Sequence, residues 1–197
     1  MTERPMMTDT EPYDFGALLE TLEGLDVPGF QAEVIRGSIV LSPWSRGYYR
    51  RVMKLVCTQL EPYLPEGHVL ERAPYLFVFP GDSSAYGPDV FAAHEGVFET
   101  EAVHLDGEAL SFVAELTSPS TRNNDLTDKV EVYARAGVSV YLILDMQARE
   151  AIVYGSPSAK GYQIRINKPF GEEISVPAPF DCVLDTSEFH RPDSVRP

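Results

Sequence analysis

A strand, a helix and a second strand follow one another between Ser111 and Asp145, and this unit limits the possible folds more than any other stretch. Ser111 to Thr117 (SFVAELT) alternates with a period of two, which puts Val113, Glu115 and Thr117 on one strand face. Asp125 to Ala136 carries Leu126, Lys129, Val130 and Tyr133 at the i, i+3, i+4, i+7 spacing of one helical face. Ser139 to Asp145 is almost wholly apolar, the composition of a strand buried on both faces. Strands joined through a helix pair in parallel, so the expectation is an α/β fold with a βαβ crossover in a buried sheet.

Two ionisable groups, Glu115 and Lys129, fall on these apolar faces. An isolated buried charge is unfavourable unless it finds a partner, a metal or a shifted pKa. Two arrangements meet that requirement. Lys129 and Glu115 pair with each other and with a cation, or Lys129 runs along its stem to solvent while Glu115 occupies an exposed strand edge.

The flanking sequence supplies the remaining elements. Asp14 to Leu25 has helical spacing at Phe15, Leu18, Leu19 and Leu22, with a stop at Gly24. Ala32 to Arg36 and Ser38 to Ser42 read as a hairpin turning near Gly37 and ended by Pro43. Arg46 to Glu61 reads as a helix closed by Pro62, followed by strands at His68 to Arg72 and Tyr75 to Phe79. A turn-rich loop leads to a short strand opening at Asp89, and the acidic stretch from His94 to Ala109 lacks periodicity and reads as a surface excursion. Ala151 to Tyr154 and Tyr162 to Ile166 continue the sheet as a hairpin. The expected organisation is a disordered leader over 1–12, a single domain over 13–190 and a frayed tail over 191–197.

Composition decides which functions are open. The formal net charge of -14 opposes a simple phosphate-binding surface, since lysine and arginine hold nucleic-acid backbones. The charge is uneven, however. Between Pro43 and Leu60 stand Arg46, Arg50, Arg51 and Lys54 with no acid, which makes that helix the candidate phosphate-facing surface, or else an ordinary solvated helix face. No segment approaches the ~18 to 20 apolar residues of a membrane span. The polar, acidic amino-terminal stretch lacks a secretory signal, and Cys57 and Cys182 lack metal-ligand spacing, so reduced cysteines and a cytoplasmic location are expected. The four histidines show no zinc spacing. Ser118, Ser120 and Thr121 have no histidine placed to activate them and read as a turn capping the next helix. Asp125 reads most simply as a helix-start carboxylate, though it lies near enough in sequence to stand behind the site. Asp145 ends a buried strand, a common place for a site residue, but reads more simply as the cap of the following turn.

Asp89 enters a strand directly after Pro88, and Glu115 lies mid-strand. Brought together, the two carboxylates would make an oxygen-rich site suited to Mg2+ or Mn2+. Here the sequence carries a resemblance. The run ELTSPSTRNNDLTDKVEVYARAGVSVYLILD, Glu115 to Asp145, preceded by Pro88-Asp89 and more weakly by AEVIRGSIVLSP (Ala32 to Pro43), resembles the Uma-two family of predicted endonucleases, a bacterial branch of the PD-(D/E)xK restriction-endonuclease-like superfamily.

The resemblance implies a restriction-endonuclease-like core, a mixed sheet flanked by helices with an N-terminal helix and hairpin. It also implies metal-dependent hydrolysis of phosphodiester bonds, with DNA favoured over RNA, and a homodimer that presents two sites to a duplex. Asp89 would be the motif aspartate and Glu115 the second acidic ligand. The parent motif puts its lysine two residues after that acid, at Thr117 here; this family takes it from the following helix, as Lys129. Glu33 matches the glutamate of the family's opening motif. Tyr48 stands where the family often has a histidine, beside Arg46, Arg50 and Arg51, which would bind substrate, and Ser38 stands where a second glutamate is common. Two functions follow as alternatives: an Mg2+-dependent endonuclease, or a catalytically silent binding or regulatory module on the same fold.

Overall fold

The structure, a computed structural model, describes residues 14–72 and 74–191. The expected leader over 1–12, and all of the expected tail except Arg191, lie outside the described residues.

A six-stranded sheet carries the fold. Its order is β11 (Ile164–Pro169), β10 (Glu150–Gly155), β9 (Val140–Asp145), β8 (Leu110–Leu116), β6 (Val90–His94) and β3 (His68–Glu71). β8 and β9 pair in parallel with Glu115 opposite Ile143, as the βαβ reading requires; the other neighbours are antiparallel. The sheet is therefore mixed, with its parallel pair at the centre.

Alternation along β8 divides the core in two. Phe112, Ala114 and Leu116 face a layer made by α2 (Tyr49–Leu60) and a ribbon of β12 (Glu173–Val176) with β13 (Cys182–Asp185). The helix presents Tyr49, Val52, Val56 and Leu60 to it, the last three fully buried. Burial of that size stabilises by about 1.5 to 3 kcal/mol per aliphatic side chain. Val113 faces the opposite layer with Tyr141, Ile143 and Ile152, against Val132 and Tyr133 of α4 (Asp128–Arg135).

A second, five-stranded sheet closes that layer, in the order β2 (Ser38–Pro43), β1 (Phe30–Ile35), β5 (Ser84–Tyr86), β4 (Leu76–Phe79) and β7 (His104–Asp106). α1 (Phe15–Glu23) covers its far side through Leu18, packed near Val34 and Ala85. The hairpin between β1 and β2 turns on Arg36 and Gly37, both at positive φ (49° and 76°), the twist a two-residue hairpin favours. Arg36 tolerates that conformation because β5 holds the turn: the Arg36 N–H donates to Ser84 Oγ, and the Gly37 N–H to the Ser83 carbonyl.

Two readings change. The acidic excursion contains β7, which pairs in parallel with β4; three residues are too few to show a period. The expected helix over 125–136 is broken into α3 (Arg122–Leu126) and α4, with Thr127 at φ -128°, ψ -83° between them. Within α4 the buried residues are Lys129, Val132, Tyr133 and Ala134, with Val130 part-buried. β5, β12 and β13 were not foreseen. Cys57 and Cys182 are free thiols, and among the described residues no helix is long and apolar enough to cross a membrane.

Candidate active site

Four elements converge at the carboxyl end of β8. Glu115 points from β8 into the layer of α4, Glu33 reaches in from β1, and Asp125 comes from α3. Asp89 stands immediately before β6. Its place is fixed by the end of the neighbouring strand: the Leu116 N–H donates to Asp89 Oδ2 at 2.8 Å, and Ser45 Oγ lies 3.5 Å from Oδ1.

Lys129 sits at the centre and is 2% exposed. Its Nζ donates to Glu115 Oε1 at 2.8 Å and to Glu33 Oε1 at 3.1 Å, and lies 5.2 Å from the centroid of the Tyr86 ring. Asp125 Oδ1 is 3.4 Å from the ammonium, within ion-pair range, yet makes no hydrogen bond. Tyr133, one helical turn on, donates its hydroxyl to Glu115 at 3.3 Å, and the Gly87 N–H donates to Glu33 at 3.0 Å. The snorkelling lysine and the strand-edge glutamate are thus both excluded.

Burial sets the electrostatics. Desolvation raises the Glu115 carboxyl well above its ordinary range despite the attraction of Lys129, with Asp125 and Asp89 adding repulsion. Asp125 is raised for the same leading reason. Desolvation also pushes Asp89 up to about 6, opposed by the Leu116 N–H and by Lys129. Burial works against the charge on Lys129 too, but Glu115, Glu33 and Asp125 outweigh it and hold the ammonium firmly protonated.

Glu33, Asp89, Glu115, Asp125 and Lys129 line one cleft of about 310 Å³. Four carboxyl groups face two cations there, Lys129 and Arg46, and Asp125 Oδ1 has no hydrogen bond, only the Lys129 ammonium at 3.4 Å. Hard oxygen donors of this kind suit Mg2+ or Mn2+. Among the described residues no three Asp, Glu, His or Cys side chains enclose a metal position. Mg2+ commonly takes only one or two carboxylates and keeps its waters, so the donor set fits.

The basic helix is divided in its placement. Arg46 lines the cleft, and Arg50 is exposed on α2. Arg51 pairs with Glu188, and Tyr48 lines a separate small pocket with Arg149 and His190. The Ser118 to Thr121 turn also borders the cleft, closed on itself by Ser118 N–H to Thr121 Oγ1 (3.0 Å) and Thr121 N–H to Ser118 Oγ (3.2 Å). Asp145 caps its turn through the N–H groups of Gln147 and Ala148 and takes a fork from Arg122, anchoring the helix that carries Asp125. Sequence reasoning placed Asp125 no nearer than behind the site and left Tyr133 out of it. The spacing from Asp125 to Lys129, one turn on the same face, was the available signal.

None of the curated proteins compared with the chain matches it. A solved structure described as a "putative nuclease" from Anabaena variabilis superposes with a TM-score of 0.67, covering 90% of this chain and 97% of that one at 17% identity. That likeness establishes a shared fold, the restriction-endonuclease-like one. The family model described as "Putative restriction endonuclease" matches residues 17–187, and on that extent the chain belongs to the Uma2 family.

Proposed function

We propose that the chain is a metal-dependent nuclease that hydrolyses phosphodiester bonds, DNA in preference to RNA, with Asp89 and Glu115 holding Mg2+ or Mn2+ and Lys129 assisting the attacking water. The observation that supports this reading best is the buried Lys129, hydrogen-bonded to two carboxylates at the floor of a cleft that Asp89 also lines. Family membership supports nuclease function and a nucleic-acid substrate.

When bound, the metal would supply Lewis acidity to a phosphoryl oxygen and acidify a coordinated water. The side chains do the rest. Lys129 is held protonated, so it donates and does not accept: it orients the water and steadies charge on the phosphoryl group. Glu33 and Tyr133 fix the partners of that ammonium, Glu33 by sharing it and Tyr133 by bonding Glu115. Arg46 at the cleft edge suits a phosphate flanking the scissile one. A two-fold dimer would present two such clefts to one substrate.

The second reading is a catalytically silent nuclease-fold module, favoured by the net charge of -14. Circular DNA, both single-stranded and duplex, separates the two. Nicking that requires Mg2+ or Mn2+ and disappears in Lys129→Ala and Asp89→Ala is the expected result. No cleavage of single- or double-stranded DNA or RNA with either metal would leave the silent module.

A further inference from the structure

The chain's single tryptophan is also one of its most exposed large apolar side chains. Trp44 follows the last residue of β2, is 61% exposed, and its backbone N–H is tied to the Gly29 carbonyl at 3.3 Å. It stands on a border. On one side is the carboxylate cleft; on the other is an open groove of about 740 Å³, and Gln31, Trp44, Ser45, Gly87 and Asp89 line both. Phe30 and Tyr75, 42% and 39% exposed, continue the aromatic surface along the groove. Tyr75 is held edge-on by Phe91, with ring centroids 5.9 Å apart.

The charges of this groove matter as much as its rings. Glu23, Asp26 and Asp89 line it against a single permanent cation, Arg72, and Glu23 Oε1 lies 3.1 Å from His104 Nε2. Such a surface offers little to a phosphate track, single- or double-stranded, so what it can recognise is a base, and a duplex hides its base faces. An unpaired base has a free face, and stacking on an aromatic ring needs no cation. Because Asp89 lines both spaces, a strand whose phosphate enters the cleft brings its neighbouring nucleoside to Trp44.

Resting on the phosphodiesterase reading of the cleft, we propose that Trp44, backed by Phe30 and Tyr75, is a stacking platform for an unpaired nucleobase next to the scissile phosphate, so that the substrate is single-stranded nucleic acid.

With one tryptophan beside ten tyrosines, fluorescence excited selectively at tryptophan reports Trp44 alone. The full chain is titrated without metal against a single-stranded DNA, its RNA counterpart, a blunt duplex of the same sequence and a strand with abasic positions. Saturable quenching by DNA or RNA single strands is expected, with the duplex and the abasic strand binding about tenfold more weakly. Anisotropy of a labelled strand should show a loss of about tenfold in Trp44→Ala and near-normal binding in Trp44→Phe. A silent tryptophan, equal quenching by the duplex, or unchanged affinity in Trp44→Ala would overturn the platform. So would an emission shift that follows protein concentration without nucleic acid, which would put a second copy of the chain in the groove. Quenching without metal-dependent cleavage keeps the platform and removes the hydrolytic reading; duplex cleavage with a silent tryptophan does the reverse.

Discussion

Two charge clusters tie α4 to the β1–β2 hairpin, and they have nearly the same plan. In the inner one Lys129 faces Glu115 at 2.8 Å, Glu33 at 3.1 Å and Asp125 at 3.4 Å. In the outer one Arg36 faces Asp82 at 2.5 Å, Glu131 at 2.7 Å and Asp128 at 3.5 Å, and Arg135 shares Asp82. Asp128 and Lys129 are adjacent, as near as two side chains can be while pointing apart. What separates the clusters is water. The Lys129 side chain is 3% exposed, those of Arg36 and Glu131 32% and 64%. Solvent screens the outer cations and Glu131 and leaves their pairs worth little individually, although Asp82 at 15% is hardly more exposed than Glu33 at 14%. The inner charges keep their full mutual effect, and burial has already raised the carboxyls of Glu115 and Asp125. Three acids around basic side chains are structural in one setting, where two arginines share them, and chemically poised in the other, where one lysine holds them.

The largest expected effect comes from removing the inner cation. Lys129→Met keeps the stem and deletes the charge, leaving Glu115, Glu33 and Asp125 facing one another. Losing one partner of a buried ion cluster costs about 3 to 5 kcal/mol, and cleavage should fall by about a hundredfold or more. Urea unfolding should show the stability loss to be greatest at neutral pH and smaller in acid, where the raised carboxyls of Glu115 and Asp125 are neutral. A loss below about 1 kcal/mol at pH 7 would mean that the inner cluster behaves like the outer one.

Asp89→Asn should separate activity from stability. In the metal-free protein the folded Asp89 carboxyl titrates near 6 against an ordinary value of 3.8. Folding therefore takes up a proton between those values, so stability falls as pH rises from about 4 to 6, and the ionised group is a net cost above that. Asn keeps an acceptor for the Leu116 N–H and removes the charge. Metal-dependent cleavage should be lost, while the metal-free variant gains about 1 to 2 kcal/mol at pH 7 to 8 and nothing below pH 4, the gain being reduced because Asp89 keeps some exposure through the cleft mouth. Thermal melts across pH read this directly. A variant less stable than the parent at pH 8 would sink the account.

Asp125→Asn probes the oxygen without a hydrogen bond. Its expected effect is about a tenfold rise in the metal concentration needed for half-maximal cleavage, with a much smaller change in melting temperature than Lys129→Met, because burial opposes the Asp125 charge that Lys129 attracts. A large drop in stability would make Asp125 a structural counter-ion of Lys129 instead.

The same difference between wet and dry explains what the sequence revealed. Glu115 and Lys129 were legible because each is a charge in an apolar period, and a period long enough to count identifies a buried face. β8, β9 and the parallel crossover were legible for that reason. Glu33 was reachable only by resemblance, since its strand alternates too weakly, with Glu33 itself and Val40 opposite it only part-buried. Asp125 resembled any acid at a helix start because the break at Thr127 has no glycine or proline to mark it. β5 hides in a Gly-Pro-rich loop, and β12 and β13 are strands of only four residues, too short for their alternation to stand out, stabilised by the α2 layer rather than by local preference.

The smallest effect is the one the comparison requires of its outer member. Arg36→Gln removes the cation of the exposed cluster but leaves Arg135 on Asp82, bound through Nε at 3.0 Å and Nη2 at 2.5 Å. Gln keeps the backbone N–H that donates to Ser84, although it gains nothing at positive φ. The expected loss is about 0.5 to 1 kcal/mol at low salt, shrinking as ionic strength rises toward 1 M, where the screening length is about 3 Å. Cleavage should be unaffected, because Glu33 is held from within β1 by its own bonds to Lys129 and the Gly87 N–H. Unfolding at two salt concentrations beside a cleavage assay tests this. If Arg36→Gln weakens cleavage as strongly as Asp125→Asn, the hairpin is positioned by its exposed charges, and burial is not what distinguishes the two clusters.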